Sequence, residues 1–361
     1  MIEKHGPLSF YGVEERGVPL RDALRQTSCR DGGVELAGNC RAIFLRCSMN
    51  LRLLAATSLL AFTTAAAAQL PDRPITRPKI TGISHIAVYT SDAAATDHYY
   101  REIIGAAKVP DPQNANGVCY AIDATQFIEV LPLPAGQGIN RLDHTAYNTT
   151  DAEGLRRYLG SKAYKTPGRV EKGSDGSLWF TVLDPEGNKV EFVQPPDSPE
   201  PVVAPILISR HIIHMGIMVH SRAVEDTFYR DLLGFRPYWF GGMIENRIDW
   251  VSQQVPDSHD WMEYMLAHDS AGSGIPAGIS QHDLGVLDHL SLGVDSVETA
   301  HKTLEAGNRL GGIHDAHTQI GRDGKGQFNL YDPDGIRLEL MNFHASEKPC
   351  CSPFTASDPE D

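Results

Sequence analysis

Apolar and polar positions follow the same order four times along the chain. Each copy opens with a run of apolar and β-branched residues, as in ISHIAVYT (83–90), a composition that favours a strand. Apolar residues at helical spacing come next and stop at a glycine suited to a left-handed helix end; in the first copy they are Tyr99, Tyr100, Ile103, Ile104 and Gly105. The pattern predicts a strand, a helix and then about three strands in each copy.

The four copies form two duplicated halves. The segment 83–105 aligns without a gap with 212–234, and each half contains a second, weaker copy, which begins at LDHTAYNTT (142–150) or at LDHLSLGVD (287–295). Near its end each half carries a D-P-x-G segment, which fits a type I turn because proline fixes φ at the second position. These two turns are predicted to join antiparallel strands.

The domain boundaries follow from this repeat. We expect an α+β protein with one domain over 80–196 and another over 206–346, each built from two βαβββ modules. The proline-rich stretch QPPDSPEPVVAP (194–205) is predicted to link them, and 347–361 form a tail.

The first 68 residues are expected to lie outside the fold. The stretch 49–68 has one early arginine, an apolar run and then small residues, the layout of a secretory signal. We therefore expect an exported protein, periplasmic or extracellular, for which Met49 is the true start and Met1 a mis-assigned one. A long native leader and a tethering signal anchor are the alternatives. After signal cleavage we expect no stable membrane span.

The overall charge limits the classes of partner. The 361 residues carry a formal net charge of −14, which argues against a nucleic-acid partner. A small-molecule substrate is the expected partner, and a homodimer is a possible assembly.

Ionisable residues fall at equivalent places in the four copies. The first strand of each module carries a histidine and the last strand a glutamate, separated by 44, 47, 49 and 50 residues. The four pairs are His85 and Glu129, His144 and Glu191, His214 and Glu263, and His289 and Glu339.

This recurrence predicts metal ligands. Each glutamate has apolar neighbours on both sides, and a carboxylate buried in such a strand is costly unless it is paired or bound to metal. Histidine and carboxylate together suit Zn²⁺, Ni²⁺, Fe²⁺ or Mn²⁺. The alternative for any single residue is a core histidine or a solvent-facing glutamate. Two further histidines, His211 and His344, are weaker candidates for pocket lining.

The motifs FYRDLLGF (228–235) and DPDGIRLEL (332–340), together with the two LDH segments, resemble the vicinal oxygen chelate superfamily over roughly 83–345. This superfamily contains glyoxalase I, extradiol dioxygenases and bleomycin-resistance proteins. The resemblance implies paired βαβββ modules in U-shaped mixed sheets, with a divalent metal on the concave face. The histidines and glutamates of facing modules would be its ligands.

The resemblance allows three functions. The retained second glutamate per half favours glyoxalase I-like proton transfer or isomerisation of a substrate with vicinal oxygens, with Glu191 and Glu339 as the catalytic bases. An Fe²⁺-dependent extradiol dioxygenase is the second hypothesis, although Thr181 and Asn329 stand where its signature tyrosine is expected. The third is a secreted protein that binds a ligand or metal without turnover.

Two questions stay open at this level. Module 1 could pair with module 2 and 3 with 4, or else 1 with 4 and 2 with 3. One half could also be catalytic and the other a structural remnant. The second half is richer in aromatic residues, which suits a pocket for a flat or apolar ligand; the residues are Tyr238, Trp239, Phe240, Trp250, Trp261 and Tyr264.

Overall fold

The computed structural model describes residues 75–244, 246–268, 274–311 and 317–360. The predicted leader and signal segment (1–68) lies outside them. Two mixed eight-stranded sheets dominate the described part, one in each half of the chain. The predicted α+β fold with two similar domains is confirmed, whereas the exact domain boundaries stay a prediction.

The first sheet contains eight strands and is accompanied by two helices. The strands are β1 (Ile80–Thr90), β2 (Ala107–Pro110), β3 (Val118–Ala121), β4 (Phe127–Pro132), β5 (Leu142–Thr149), β6 (Glu171–Lys172), β7 (Leu178–Leu183) and β8 (Lys189–Gln194). The helices are α1 (Ala93–His98), which continues as a π-helical turn (Tyr99–Ile104), and α2 (Ala152–Ser161).

The second sheet repeats this order with one additional helix. Its strands are β9 (Ile212–Val219), β10 (Arg236–Gly241), β11 (Trp250–Gln254), β12 (Trp261–Leu266), β13 (His289–Val294), β14 (Thr318–Ile320), β15 (Gly326–Tyr331) and β16 (Arg337–Asn342). The helices are α3 (Arg222–Asp226) with its π-helical turn (Thr227–Leu232), α4 (Gln281–Leu287) and α5 (Val297–Ala306).

The strand order answers the question of module pairing. The first sheet has the order β2-β3-β4-β1-β5-β8-β7-β6, and the second repeats it as β10-β11-β12-β9-β13-β16-β15-β14. The opening strands of modules 1 and 2 pair antiparallel at the centre, and each pairs parallel with the last strand of its own module. Module 1 therefore pairs with module 2, and module 3 with module 4.

The predicted turns and helix ends are present. Gly187 N donates to Asp184 O at 3.1 Å between β7 and β8, and Gly335 N donates to Asp332 O at 3.0 Å between β15 and β16. Gly105 ends the first helical segment with a φ of 88°, a conformation that costs glycine little.

Two local features differ from the expectation. The apolar residues before Gly105 lie in a π-helical turn rather than an α-helix, although all four are still buried. In the second half, Leu287 ends α4, so the strand begins at His289 and not with the LDH segment. The spacing of apolar residues indicates which side chains face the core. It does not indicate whether a turn is α-helical or π-helical, or at which residue a strand begins.

The two halves contact each other through equivalent residues. The Tyr100 hydroxyl donates to Asp332 Oδ2 at 3.1 Å, and the Tyr229 hydroxyl donates to Asp184 Oδ2 at 3.4 Å. Each tyrosine belongs to the π-helical turn of one half and each aspartate to the D-P-x-G turn of the other. A shared cluster of buried apolar side chains continues through both halves.

The chain after β16 packs on the second half. Cys350 and Cys351 form a disulfide between adjacent residues, and Thr355 N donates to Tyr238 O on β10 at 2.9 Å. In the parts of the chain that are described, no helix has the length and apolar character needed to cross a bilayer.

Candidate metal centre

The first cluster is built on the four central strands of the first sheet. His85 lies on β1, Glu129 on β4, His144 on β5 and Glu191 on β8. The Nε2 atoms of the two histidines are 2.9 Å apart. Glu129 Oε2 lies 3.6 Å from His85 Nε2 and 3.4 Å from His144 Nε2. Glu191 approaches the same two nitrogens at 3.6 and 4.0 Å.

The second cluster repeats this arrangement. His214 lies on β9, Glu263 on β12, His289 on β13 and Glu339 on β16. The two Nε2 atoms are 3.1 Å apart, Glu339 Oε2 is 3.4 Å from His214 Nε2, and Glu263 Oε2 is 3.9 Å from His289 Nε2. All eight predicted residues therefore converge, four in each half.

These separations fit donors that share one ion. Ligands at about 2.1 Å from a metal lie about 3.0 Å apart in an octahedral arrangement and about 3.4 Å apart in a tetrahedral one. In each half, one donor atom from each of three residues lies within 4.8 Å of the other two; the sets are His85, Glu129 and His144, and His214, Glu263 and His289.

Buried atoms without hydrogen-bond partners point in the same direction. Glu129 Oε2 and Glu339 Oε1 are buried and accept no hydrogen bond from the protein. Such an atom normally costs on the order of 1–3 kcal/mol, and a bound cation would remove this cost. The donor set present therefore fits a divalent metal.

In each cluster, a hydrogen bond to a group outside the cluster orients one of the two histidine rings. His144 Nδ1 lies 2.7 Å from Asp143 Oδ2, and His289 Nδ1 lies 2.9 Å from the carbonyl oxygen of Leu287. Each acceptor requires a proton on Nδ1. In the neutral ring, Nε2 then keeps its lone pair and directs it into the cluster, as a metal ligand must.

Asp143 is itself held in the charged form. Burial alone would raise its pKa, but hydrogen bonds from His144, Lys189 and Tyr89 outweigh it, and the pKa of Asp143 is lowered below its usual range. The LDH segment at 142–144 therefore supplies both a candidate ligand, His144, and the residue that orients it, Asp143.

Burial lowers the charge of both clusters. It lowers the pKa of His85, His214 and His289 well below the usual histidine value, so these rings are neutral. It raises the pKa of Glu263 to about 8, with a further contribution from Glu339, whose own pKa is raised to about 7. Burial also raises the pKa of Glu129, and the adjacent Asp111 adds to the effect. Arg337 partly offsets the effect of burial on Glu263 and Glu339, and a bound divalent metal would favour the charged carboxylates further.

A cavity of about 880 Å³ opens on the first cluster. Glu129, His144 and Glu191 line it, and its wall is largely apolar. Other lining residues include Leu131, Lys165, Pro167, Trp179 and Lys189. The volume is in the range of small-molecule sites.

Two residues that hold Glu191 were not among the predicted site residues. Gln113 Nε2 donates to Glu191 Oε1 at 2.7 Å from the connection between β2 and β3. Thr181 Oγ1 donates to Glu191 Oε2 at 3.2 Å from the neighbouring strand. The sequence marks Thr181 only as a replacement for the expected tyrosine. It gives no indication of Gln113, because a loop sequence does not show which strand the loop covers.

The aromatic residues of the second half have several roles. Trp261 stacks on the His214 ring with centroids 4.6 Å apart. Tyr264, in contrast, is fully buried in the shared core, and Tyr238 packs against Phe354 of the tail. The weaker candidates lie outside both clusters: His211 contacts Asp260, and His344 is exposed beside Asp358.

Comparison with known proteins agrees with this architecture. Residues 211–340 match the family model of the Glyoxalase/Bleomycin resistance protein/Dioxygenase superfamily. No curated protein matches the chain in sequence.

Solved structures resemble the chain in fold. A catechol 2,3-dioxygenase aligns with a TM-score of 0.54 and 16% identity, over 78% of this chain and 96% of its own. The Mn(II)-bound glyoxalase of Novosphingobium aromaticivorans aligns with a TM-score of 0.54 and 17% identity, over 73% and 83%. Homoprotocatechuate 2,3-dioxygenase of Brevibacterium fuscum, in complex with 3,4-dihydroxyphenylacetate, aligns with a TM-score of 0.53 and 15% identity, over 75% and 83%. At these identities the likeness concerns the fold alone.

Proposed function

We propose that the chain is a divalent-metal-dependent enzyme acting on a small molecule with two adjacent oxygens, because residues 211–340 match the family model of the Glyoxalase/Bleomycin resistance protein/Dioxygenase superfamily. The observation that carries this proposal is the first cluster, where two imidazoles and two carboxylates converge beside a cavity of about 880 Å³ that Glu129, His144 and Glu191 line. The metal would be Zn²⁺, Ni²⁺, Fe²⁺ or Mn²⁺.

The proposed reaction is proton transfer at a carbon next to the chelating oxygens. A metal held by His85, Glu129, His144 and Glu191 would polarise those oxygens and increase the acidity of the adjacent C–H bond. A carboxylate of the cluster would accept the proton and return it to the neighbouring carbon, while the hydroxyl proton passes to the former carbonyl oxygen, which gives isomerisation.

The two carboxylates of the first cluster differ in how firmly they are held. Glu191 accepts hydrogen bonds through both oxygens, from Gln113 and Thr181. Glu129 Oε2 accepts none. We therefore assign the proton-accepting role in this half to Glu129 and a positioned ligand role to Glu191; the sequence-based assignment of Glu191 as the base is the alternative.

In the second cluster the free oxygen belongs to the other glutamate. Glu263 Oε1 accepts from Ser252 Oγ at 3.2 Å, whereas Glu339 Oε1 has no hydrogen-bond partner. Glu339 accordingly stays the proposed base of the second half.

The test is exchange of substrate hydrogen with solvent. Protein loaded with Mn²⁺, Ni²⁺, Zn²⁺ or Fe²⁺ would be incubated in D₂O with a panel of α-hydroxycarbonyl compounds and followed by NMR. Metal-dependent deuterium incorporation at the carbon that bears the hydroxyl group is expected, and His85→Ala should remove the part of it that the first site contributes. Binding of these compounds to metal-loaded protein without any exchange would favour a non-catalytic binding protein.

An extradiol dioxygenase is the second candidate. Each cluster contains two histidines and a carboxylate, the ligand set of many non-haem Fe²⁺ oxygenases. Against it, Thr181 and Asn329 pair in register with Glu191 and Glu339, so no phenol stands at either position. Oxygen uptake with catechol, after anaerobic Fe²⁺ loading, distinguishes the candidates, because only ring cleavage consumes O₂.

We also propose that the protein is exported. The secretory layout of 49–68 supports this proposal. N-terminal sequencing of protein from the native cell envelope or medium should begin near residue 69, and a cytoplasmic protein that retains 49–68 would contradict it.

A further inference from the structure

The C-terminal tail follows the edge strand of the second sheet. Ser352 Oγ accepts a hydrogen bond from Phe240 N at 2.9 Å, and Thr355 Oγ1 donates to Pro237 O at 2.7 Å. Farther along, Ser357 O accepts from Gln254 Nε2 at 2.6 Å. The tail therefore covers β10 and reaches the next strand, β11.

This path places the carboxylate of Asp358 among three hydrogen-bond donors. Lys325 Nζ lies 2.7 Å from Asp358 Oδ1, to which the Tyr238 hydroxyl also donates. His344 Nδ1 lies 3.0 Å from Asp358 Oδ2. We call Lys325, Tyr238 and His344 the carboxylate seat. None of its members belongs to either metal cluster.

Lys325 depends on an anion at this place. Its side chain is fully buried, and its Nζ lies 5.3 Å from the ring centroid of Trp261 and 5.2 Å from that of Phe354. Aromatic faces stabilise a cation only partly, and a buried charge without a counter-ion is strongly destabilising. The carboxylate in contact with Nζ is Asp358, which belongs to the tail; Phe343 O also accepts from Nζ, and the buried Asp323, in the turn before β15, adds electrostatic support for the charged form.

The tail contributes an aromatic ring as well as a carboxylate. Phe354 packs on the Tyr238 ring with centroids 4.9 Å apart, and Tyr238 packs on Trp261 at 5.1 Å. Phe354 and Asp358 thus bring an aromatic ring and a carboxylate to the same cation, Lys325 Nζ. Trp261 also stacks on His214, so the seat adjoins the second metal cluster.

We propose that the carboxylate seat is a binding subsite for an aromatic carboxylate, and that Asp358 and Phe354 of the chain's own tail occupy it in the resting protein. The ligand binds by displacing the tail. This inference concerns the second half and does not depend on the reaction proposed for the first cluster.

The test is a titration with benzoate, followed by tryptophan fluorescence, and with benzamide as the neutral probe of equal shape. Asp358→Asn removes the charge from the tail's contact with Lys325. Because benzoate no longer has to displace a charge-assisted contact, we expect it to bind this variant at least about tenfold more tightly than the wild type. Benzamide should show no such gain. Glu360→Gln removes an exposed carboxylate two residues away and should behave as the wild type.

A second pair of variants locates the binding. In the Asp358→Asn background, Lys325→Met should abolish the increase in benzoate affinity. If this variant does not fold, Tyr238→Phe, which keeps the ring and loses one hydrogen-bond donor, should reduce the increase. Benzoate should also increase hydrogen exchange of the backbone amides between 352 and 358. Equal binding of benzoate by wild type and Asp358→Asn, equal gains for benzamide, or a gain unaffected by the seat variants would overturn the proposal.

Discussion

Gln113 donates a hydrogen bond of 2.7 Å from Nε2 to Glu191 Oε1. Through this contact, the connection between β2 and β3 closes on a candidate ligand that lies on β8. Asp111 holds the same connection in place, because its Oδ1 accepts from Gln113 N at 2.7 Å and from Asn114 N at 2.9 Å.

Removal of this contact should weaken metal binding. We expect Gln113→Ala to lower the affinity of the first site by about 10- to 100-fold, the usual effect of losing a hydrogen bond that orients a ligand. Competition with a fluorescent chelator measures the affinity. Gln137→Ala is the control, because the Gln137 side chain donates to Asn140 O and not to a candidate ligand; an unchanged affinity in Gln113→Ala would show that the contact does not support the ligand.

Conservative variants should separate the roles of the two glutamates. In Glu129→Gln, made in the His214→Ala background so that only the first site holds metal, we expect metal to remain bound while the exchange rate falls by at least about 100-fold, because an amide does not accept the proton. In Glu191→Gln, we expect mainly reduced metal affinity. Metal content and turnover are measured on the same samples. The reverse result would return the base role to Glu191.

Gly216 is packed against a candidate ligand of the second site. A Cβ at this position would lie 2.0 Å from His289 Cε1. Gly216→Ala should therefore displace the His289 ring, abolish metal binding at the second site and lower stability by about 1–3 kcal/mol. The first site should keep its metal. Gly168→Ala, where nothing lies within 4 Å of the new atom, is the control; intact binding at both sites would contradict the expected displacement.

Glu225 should make stability depend on pH. It is fully buried between the halves and accepts from Glu186 N at 3.0 Å, and its pKa is raised by burial, then by Asp184 and Glu186. Because the folded-state pKa exceeds the ordinary 4.5, its contribution is complete below pH 4.5 and is lost as pH rises toward the folded value.

Glu225→Gln should reduce this pH dependence. Urea unfolding measures the free energy of unfolding at pH 5 and at pH 8. The decrease from pH 5 to pH 8 should be smaller in Glu225→Gln than in the wild type by about 1–3 kcal/mol. Glu200→Gln in the exposed linker is the matched control. Equal slopes in wild type and Glu225→Gln would mean that Glu225 is not the titrating group.

Periodicity and repetition in the sequence were sufficient to predict much of the fold and to identify the eight candidate ligands, but not to divide them into two clusters. The alignment of 83–105 with 212–234 made His85 equivalent to His214, and the structure places them at corresponding positions on the first strand of each sheet. Which modules pair could not be predicted, because both arrangements bury the same apolar faces.

Contacts made by loops and by the tail were beyond sequence reasoning. Gln113 is 78 residues from Glu191, and Lys325 is 33 residues from Asp358. Neither pair belongs to a periodic pattern, since loop and tail residues are placed by the tertiary fold. Asp143 could have been found, because it directly precedes His144 in the LDH segment, but adjacency alone did not show that it orients the ring.

Metal stoichiometry tests the central claim most directly. After loading with Mn²⁺ or Zn²⁺ and removal of free ion, elemental analysis of the full chain should give two equivalents, with one lost in His85→Ala and the other in His214→Ala. Each variant should keep the wild-type circular dichroism spectrum. A wild-type protein that retains no metal, or variants that both retain two equivalents, would contradict the assignment of the two clusters as metal centres.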